Sequence, residues 1–426
     1  MVTEEKKNVL KEVLDYLSFA TDMIVERFGE KHPEWAWIYA LLVDYYEEAY
    51  KAKDTGKPVA WINFGVPPEL FYAMDIMPVV MDALTGSLAS IGSAIKYIDL
   101  AEERVPDYIC ANNKTLIGAA LAGDVPLPDI LVQPAHPCDS NLATYPVIAE
   151  YYNFPYFCID MPYFKTERSA PYVAGELRKL VSVLEEIIGK PLDLDKLKQV
   201  MQYSNQAHAL ILKHEVLRQA VPCPYSSLEA ISEYGLVLTL AGTPQLVDYF
   251  ERRYALSKDK VSRGEGHLPK EREKHRLVWI YGAPTFDMTL LMWLEKEYGA
   301  VSVANMNNNF TMQPVEDLSN LDSILMGLAE KVTLLPMTRE CGGPWENWLD
   351  ASMDLIKRYK ADAAVFAGHV ACKSNWAVIK LIKDKLHDEL GIPTLVLEMD
   401  LFDPRVASTD TLKAQFDNFF NVHFKG

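Results

Sequence analysis

Short, predominantly apolar runs alternate with amphipathic helical stretches, and they do so in two separate blocks of the chain. In the first block the strand-like runs are 58–64, 78–81, 129–133 and 156–159; in the second they are 276–281, 300–304, 363–367 and 394–398. Runs without a polar alternate suit strands buried on both faces, and interleaved helices suit the crossovers of a parallel sheet. Between the blocks, 172–260 has helical periodicity, and 256–276 is charged and lacks an apolar period, so it reads as a solvated linker. Residues 3–55 also read as helices, closed by Gly56 and Pro58. The expected fold is α/β: two Rossmann/flavodoxin-like parallel-sheet domains (58–171 and 276–426) joined by a helical segment and linker (172–275), with an N-terminal helical extension (1–57).

Charge narrows the partners. Of 426 residues, 59 are Asp or Glu and 42 are Lys or Arg, a formal net charge of −17. Such a chain repels phosphate backbones and anionic lipid, which argues against nucleic-acid and membrane-surface roles. An anionic acyl-CoA would need a local basic entry. No run reaches the ~18 apolar residues of a membrane span, and the amphipathic opening segment is not a secretory signal. The expected location is the cytoplasm, with reduced thiols.

The usual nucleotide and hydrolase motifs are missing. There is no GxxxxGK[ST] loop, no GxGxxG after a strand, no HExxH and no GxSxG. Ligands of doubly wound sheets nevertheless bind at strand carboxyl ends, and cysteines lie there. Cys138 follows the run DILVQ, and Cys372 follows AAVFA. Cys110 precedes a helix expected at 115–122. Thiols near helix N-termini ionise readily and suit iron–sulfur clusters or zinc, although the spacing matches no compact ligand motif, and a cysteine can also be a small buried hydrophobe. Cys158, inside YFCI, reads as core; Cys223, between prolines, as structural; Cys341, before Gly-Gly, as part of a turn or a ligand-binding loop.

At these residues the chain resembles the 2-hydroxyacyl-CoA dehydratase and benzoyl-CoA reductase family, in particular its D-component-like subunits. The resemblance runs from about residue 58 to 424 through GVPPELFYAMDIMPV, the Cys110 segment, LPDILVQPAHPCDS, FPYFCIDMPYF, GHVACK and GIPTLVLEMDLFDPRVASTDTLKAQFDNFF. It implies a [4Fe–4S] cluster with Cys110, Cys138 and Cys372 as thiolate ligands. It also implies a homologous second subunit or a homodimer, an ATP-hydrolysing iron–sulfur activator, and an acyl-CoA substrate. Dehydratases of the family eliminate water from an (R)-2-hydroxyacyl-CoA through a ketyl radical; the reductases deliver electrons to an aromatic acyl-CoA. A double-cubane reductase is a further branch. A non-enzymatic α/β small-molecule binder is the reading outside the family.

Candidate acid/base groups are Glu69, His136 and His369; candidate substrate-binding groups are Ser140, Asn141 and Lys373. Each has a plainer alternative. Glu69 can simply complement a helix dipole, the histidines can be satisfied turn residues, and the polar loop residues and Lys373 can be solvated. The family's dehydrating subunit is expected to carry a serine before the helix bearing Glu69. Here that loop reads Asn63-Phe64-Gly65-Val66, without a hydroxyl, which leaves open an electron-relay role.

Overall fold

The computed structural model describes residues 7–424. The helical reading of residues 3–6 lies outside them. The chain divides into two compact units, the first made of the residues up to His208 with Gly235–Tyr249 and Met312–Thr333, the second of Ala209–Tyr234, Phe250–Thr311 and the residues from Leu334.

The first unit opens with a helical pair, α1 (Val9–Phe28) and α2 (Pro33–Lys51). Asn8 starts α1 by accepting the Leu10 N–H at 2.9 Å, which satisfies one of the amides a helix leaves unpaired at its start. Then follow β1 (Val59–Ile62), α3 (Pro68–Ala73), β2 (Met77–Val80), α4 (Met81–Ser90), α5 (Ala94–Glu102) and α6 (Ala111–Ala122). β3 (Ile130–Pro134), α7 (Asp139–Tyr152), β4 (Tyr156–Ile159) and α8 (Ser169–Ile188) complete the sheet region. The sheet is all parallel, in the order β2-β1-β3-β4. β1, β2 and β3 are buried throughout. Each fully buried Val, Leu or Ile among them contributes about 1.5–3 kcal/mol.

The two edges are treated differently. Tyr45 of α2 lies against β2, donating its hydroxyl to the Pro78 carbonyl at 3.0 Å and accepting the Val80 N–H at 2.9 Å. These bonds occupy edge groups that would otherwise be open to another strand. β4 is left half-buried along Tyr156–Cys158. Cys158 is therefore not the core residue expected from YFCI: apolar composition alone does not distinguish an edge strand from a central one.

Helices α9 (Leu194–Arg218), α10 (Ser227–Leu240) and α11 (Pro244–Ser262) each contribute residues to both units. The second unit then holds β5 (His275–Trp279), α12 (Thr289–Tyr298) and β6 (Ala300–Asn305). α13 (Leu321–Leu334) belongs almost wholly to the first unit. α14 (Thr338–Cys341), α15 (Trp345–Tyr359), β7 (Ala363–His369), α16 (Lys373–Leu390), β8 (Thr394–Met399) and α17 (Thr409–His423) follow. Its sheet is again all parallel, in the order β6-β5-β7-β8. Counted from the first strand of each sheet, the two orders are the same. Gly299 and Gly391 end α12 and α16 in the left-handed conformation, as expected of glycines after the last helical turn.

Of the stretch expected to be a solvated linker, Ser257 and Arg276 are buried and most of the rest is exposed. Its first part continues α11 to Ser262. Ser257 is fully buried, and the Glu273 and Arg276 side chains pair with each other while almost completely enclosed. Among the described residues no helix is long and apolar enough to cross a membrane.

Candidate functional site

In both sheets the chain reverses direction across the order between the first and third strands, and crevices of doubly wound sheets open at the carboxyl ends of those strands. In the first unit Cys138 follows β3 and is the N-cap of α7. In the second, Cys372 follows β7 and is the N-cap of α16. The two cysteines thus hold equivalent places in the two sheets. Cys110 is the N-cap of α6. None of the three thiols forms the side-chain cap hydrogen bond, all three are partly exposed, and none is in a disulfide.

A polar network ties the first-unit loops together. Asp82, the second residue of α4, accepts hydrogen bonds from Asn63 Nδ2 at 2.7 Å, Phe64 N–H at 3.1 Å and Asn112 Nδ2 at 2.8 Å. Thr85 also bonds Asn112. The network joins the loop after β1 to the start of the helix that Cys110 caps. Asp82 itself is half-buried. Burial therefore raises its pKa to about 6, against the opposing effect of its donors. Tyr145 of α7 is buried, and its hydroxyl has no partner in hydrogen-bond geometry among the described residues. Asp82, Cys138 and Cys110 all lie within electrostatic range of it, with the Asn63 side chain beside it. Burial first, and then these charges, hold the phenol well above its ordinary pKa.

Ser140 and Asn141 occupy the first turn of α7, and both are buried. Ser140 N–H donates to Asp139 at 3.0 Å, and its carbonyl accepts from Thr144 at 2.8 Å. His136 is half-buried before a cis proline. Burial and then Lys165 lower its pKa, against a smaller opposite effect of Asp160.

Glu69 belongs to a separate cluster of the first unit. It is completely buried in the first turn of α3. Lys331 forms an ion pair with it, and Ser204 donates to it at 2.7 Å and accepts from Lys331 at 2.7 Å. Burial raises the carboxyl pKa, but Lys331 and Ser204 outweigh this and leave it lowered.

In the second unit His369 ends β7, and its Nδ1 is 3.1 Å from Asp400 Oδ2, both side chains nearly fully enclosed. Asp400 also accepts the Phe402 and Asp403 N–H groups at 2.8 and 3.0 Å. Burial pushes its carboxyl up, but His369 and these donors bring it below the ordinary value. Trp376 Nε1 donates to the His369 carbonyl at 3.0 Å, bracing the turn that carries Cys372. Lys373 is the exposed first residue of α16. Cys341 closes α14 and donates its S–H to Asn375 Oδ1 at 3.3 Å. Cys223 is fully buried, with its thiol 3.6 Å from the Arg218 carbonyl, and burial pushes its pKa up to about 12.

The first unit therefore brings Cys110 and Cys138 to one neighbourhood around Tyr145, and the second unit brings His369 and Cys372 onto one turn. Within either unit by itself, no three His, Cys, Asp or Glu ligand atoms gather among the described residues. Asp82, Tyr145, Lys331, Ser204 and Asp400 were not among the sequence candidates. Asp82 lies two residues after β2 and Asp400 directly follows β8, so the strand-end rule that singled out Cys138 also reaches both.

Comparison with known proteins agrees with the resemblance. The profile of the 2-hydroxyglutaryl-CoA dehydratase D-component family matches residues 63–422. Lactoyl-CoA dehydratase subunit alpha of Anaerotignum propionicum is 23% identical over 407 residues, covering 87% of this chain and 91% of the relative. The (R)-2-hydroxyisocaproyl-CoA dehydratase alpha subunit of Clostridioides difficile is 22% identical over 416 residues, covering 92% and 97%. A benzoyl-CoA reductase subunit of Thauera aromatica is 22% identical over 347 residues, covering 74% and 76%. With the match spanning both sheets and all three strand-end or helix-cap cysteines, the chain belongs to the 2-hydroxyglutaryl-CoA dehydratase D-component family.

Proposed function

We propose that the chain is an iron–sulfur subunit of an (R)-2-hydroxyacyl-CoA dehydratase, with Cys110, Cys138 and Cys372 as the thiolate ligands of a [4Fe–4S] cluster. The observation that carries this reading is the shared placement of the three thiols, each at the N-cap of a helix, the end where the helix dipole is positive. Three soft donors fit a cubane with one iron open to a substrate oxygen. When bound, the cluster would supply one electron at low potential to the acyl thioester. The chain's own residues bind and orient. Ser140 and Asn141 offer hydrogen bonds beside Cys138, Lys373 offers positive charge to an anionic CoA, and the Asp400 carboxylate fixes the His369 ring beside the Cys372 turn. His136 and Glu69 are the further proton-transfer candidates.

The names of the relatives support partners: dehydratase alpha subunits and a reductase subunit imply complexes. A homologous second subunit and an ATP-hydrolysing activator complete the proposed system. The test is anaerobic turnover of this chain with its partner subunit, activator, ATP and a set of (R)-2-hydroxyacyl-CoA esters, followed by chromatography for the enoyl-CoA. Formation of the enoyl-CoA, abolished by Cys138→Ser, supports the reading; no product from any ester overturns it.

A second reading has its own support. The loop Asn63-Phe64-Gly65-Val66 offers no hydroxyl side chain, and Glu69 is already engaged by Lys331 and Ser204. Both favour a subunit that relays the electron while its partner handles the acyl group. In that case Glu69→Gln leaves turnover of the complex largely intact.

A further inference from the structure

Each proposed ligand is followed, three residues on, by an asparagine: Cys110 by Asn113, Cys138 by Asn141 and Cys372 by Asn375. The other cysteines are not: Cys158, Cys223 and Cys341 are followed at that spacing by Met161, Ser226 and Pro344. In all three cases the cysteine is the N-cap and the asparagine the third helical residue. Side chains of a helix lean toward its N-terminus, so a residue at this position points back over the cap.

The three asparagines share a second property. Asn113, Asn141 and Asn375 are 1%, 2% and 0% exposed. Among the described residues, the buried carboxamide nitrogens without a hydrogen-bond partner are those of these three asparagines. A buried amide left unpaired costs about 1–3 kcal/mol, so three at one repeated position point to an acceptor that arrives with a ligand. Asn375 is held in place by its oxygen, which accepts the Cys341 S–H at 3.3 Å, while its nitrogen remains available. In the first unit Tyr145, with the Asn63 side chain beside its hydroxyl, lies on the same face of α7 as Cys138 and Asn141.

We propose that Asn113, Asn141 and Asn375 are three copies of one device, each donating its amide N–H to sulfur held at the cysteine that caps its helix. The inference rests on the cysteine-ligand reading above. The asparagines are positioning residues. Their N–H groups offset negative charge on the thiolates and sulfides, and hydrogen bonds to sulfur raise a cluster's reduction potential.

The inference is tested with Asn141→Leu and Asn375→Leu, which keep the shape and remove the donor. In the iron-free chain, Asn141→Leu leaves the thermal midpoint unchanged or raises it, whereas Asn375→Leu also removes the acceptor of the Cys341 S–H and lowers it slightly. In the anaerobically iron-loaded chain, each variant moves the cluster's midpoint potential to more negative values. The wild-type cluster exchanged into D2O shows exchangeable deuteron couplings that each variant reduces. Asn141→Gln or Asn375→Gln, which restores an amide donor, recovers part of the potential. A lowered thermal midpoint in the iron-free variants together with an unmoved potential overturns the inference and marks the asparagines as structural. If a variant loses its iron, the wild-type couplings decide, and their absence overturns it. A wild-type chain that takes up no iron overturns the cysteine reading itself, whereas iron uptake with unmoved potentials overturns this inference alone.

Discussion

Lys331 and Glu69, 262 positions apart in the sequence, form an ion pair inside the first unit, with Ser204 bonded to both. The pair links α13 to the helix that starts the first crossover. Removing only the lysine leaves a carboxylate in the interior without compensation, which costs about 3–5 kcal/mol. Lys331→Met is therefore expected to lower the urea midpoint strongly, and the double variant with Glu69→Leu to recover much of the loss. Equal losses in the single and double variants would show that the charge pair is not the cause.

The same pair sets a pH dependence. The folded-state pKa of Glu69 lies below its ordinary value of 4.5, so its stabilisation is present above that value and fades as pH falls through the lower, folded value. Wild type should lose this contribution in the acid range, whereas Glu69→Gln should show a flatter acid limb in chemical unfolding.

Asp82 has the opposite sign. Its carboxyl is raised from 3.8 to about 6, so its contribution is fully present below 3.8 and is lost as pH rises through about 6. Carboxyl carbon shifts measured by NMR should report one group titrating near that pH, and Asp82→Asn should remove it. A resonance that titrates in the ordinary range instead would show that the hydrogen bonds of Asn63, Phe64 and Asn112 outweigh burial.

Gly118 marks the tightest approach between α5 and α6. A Cβ there would lie 1.9 Å from the Tyr97 carbonyl oxygen. Gly118→Ala must push the two helices apart, at a cost of about 1–3 kcal/mol. Because Cys110 caps α6, the substitution should also change iron retention. A variant with wild-type stability would contradict the close packing.

How much of this was readable beforehand depends on how local each signal is. All eight strands were legible, because short runs such as ILVQP and AAVFA have no polar face and must be buried on both sides. Cys138 and Cys372 were legible because they directly follow such runs. Cys158 was misjudged because edge position is a property of strand order, and β4 pairs on one side alone. Within 256–276, the helical start and the enclosed pairing of Glu273 with Arg276 do not show in its charged composition. The partners of Glu69 were out of reach for the same reason, since nothing near GVPPEL points to Ser204 or Lys331. The asparagines three residues after the cysteines are plain in the sequence, but their meaning appears only once each amide is known to be buried without a partner.

The account stands or falls on whether three thiols of this chain hold iron. Iron and acid-labile sulfide determined on the anaerobically purified chain measure that most directly. The predicted result is a brown, oxygen-sensitive protein with about four irons per chain, bleached by Cys110→Ser, Cys138→Ser or Cys372→Ser and unaffected by Cys158→Ser. A colourless, iron-free wild-type chain after anaerobic purification and reconstitution would contradict it.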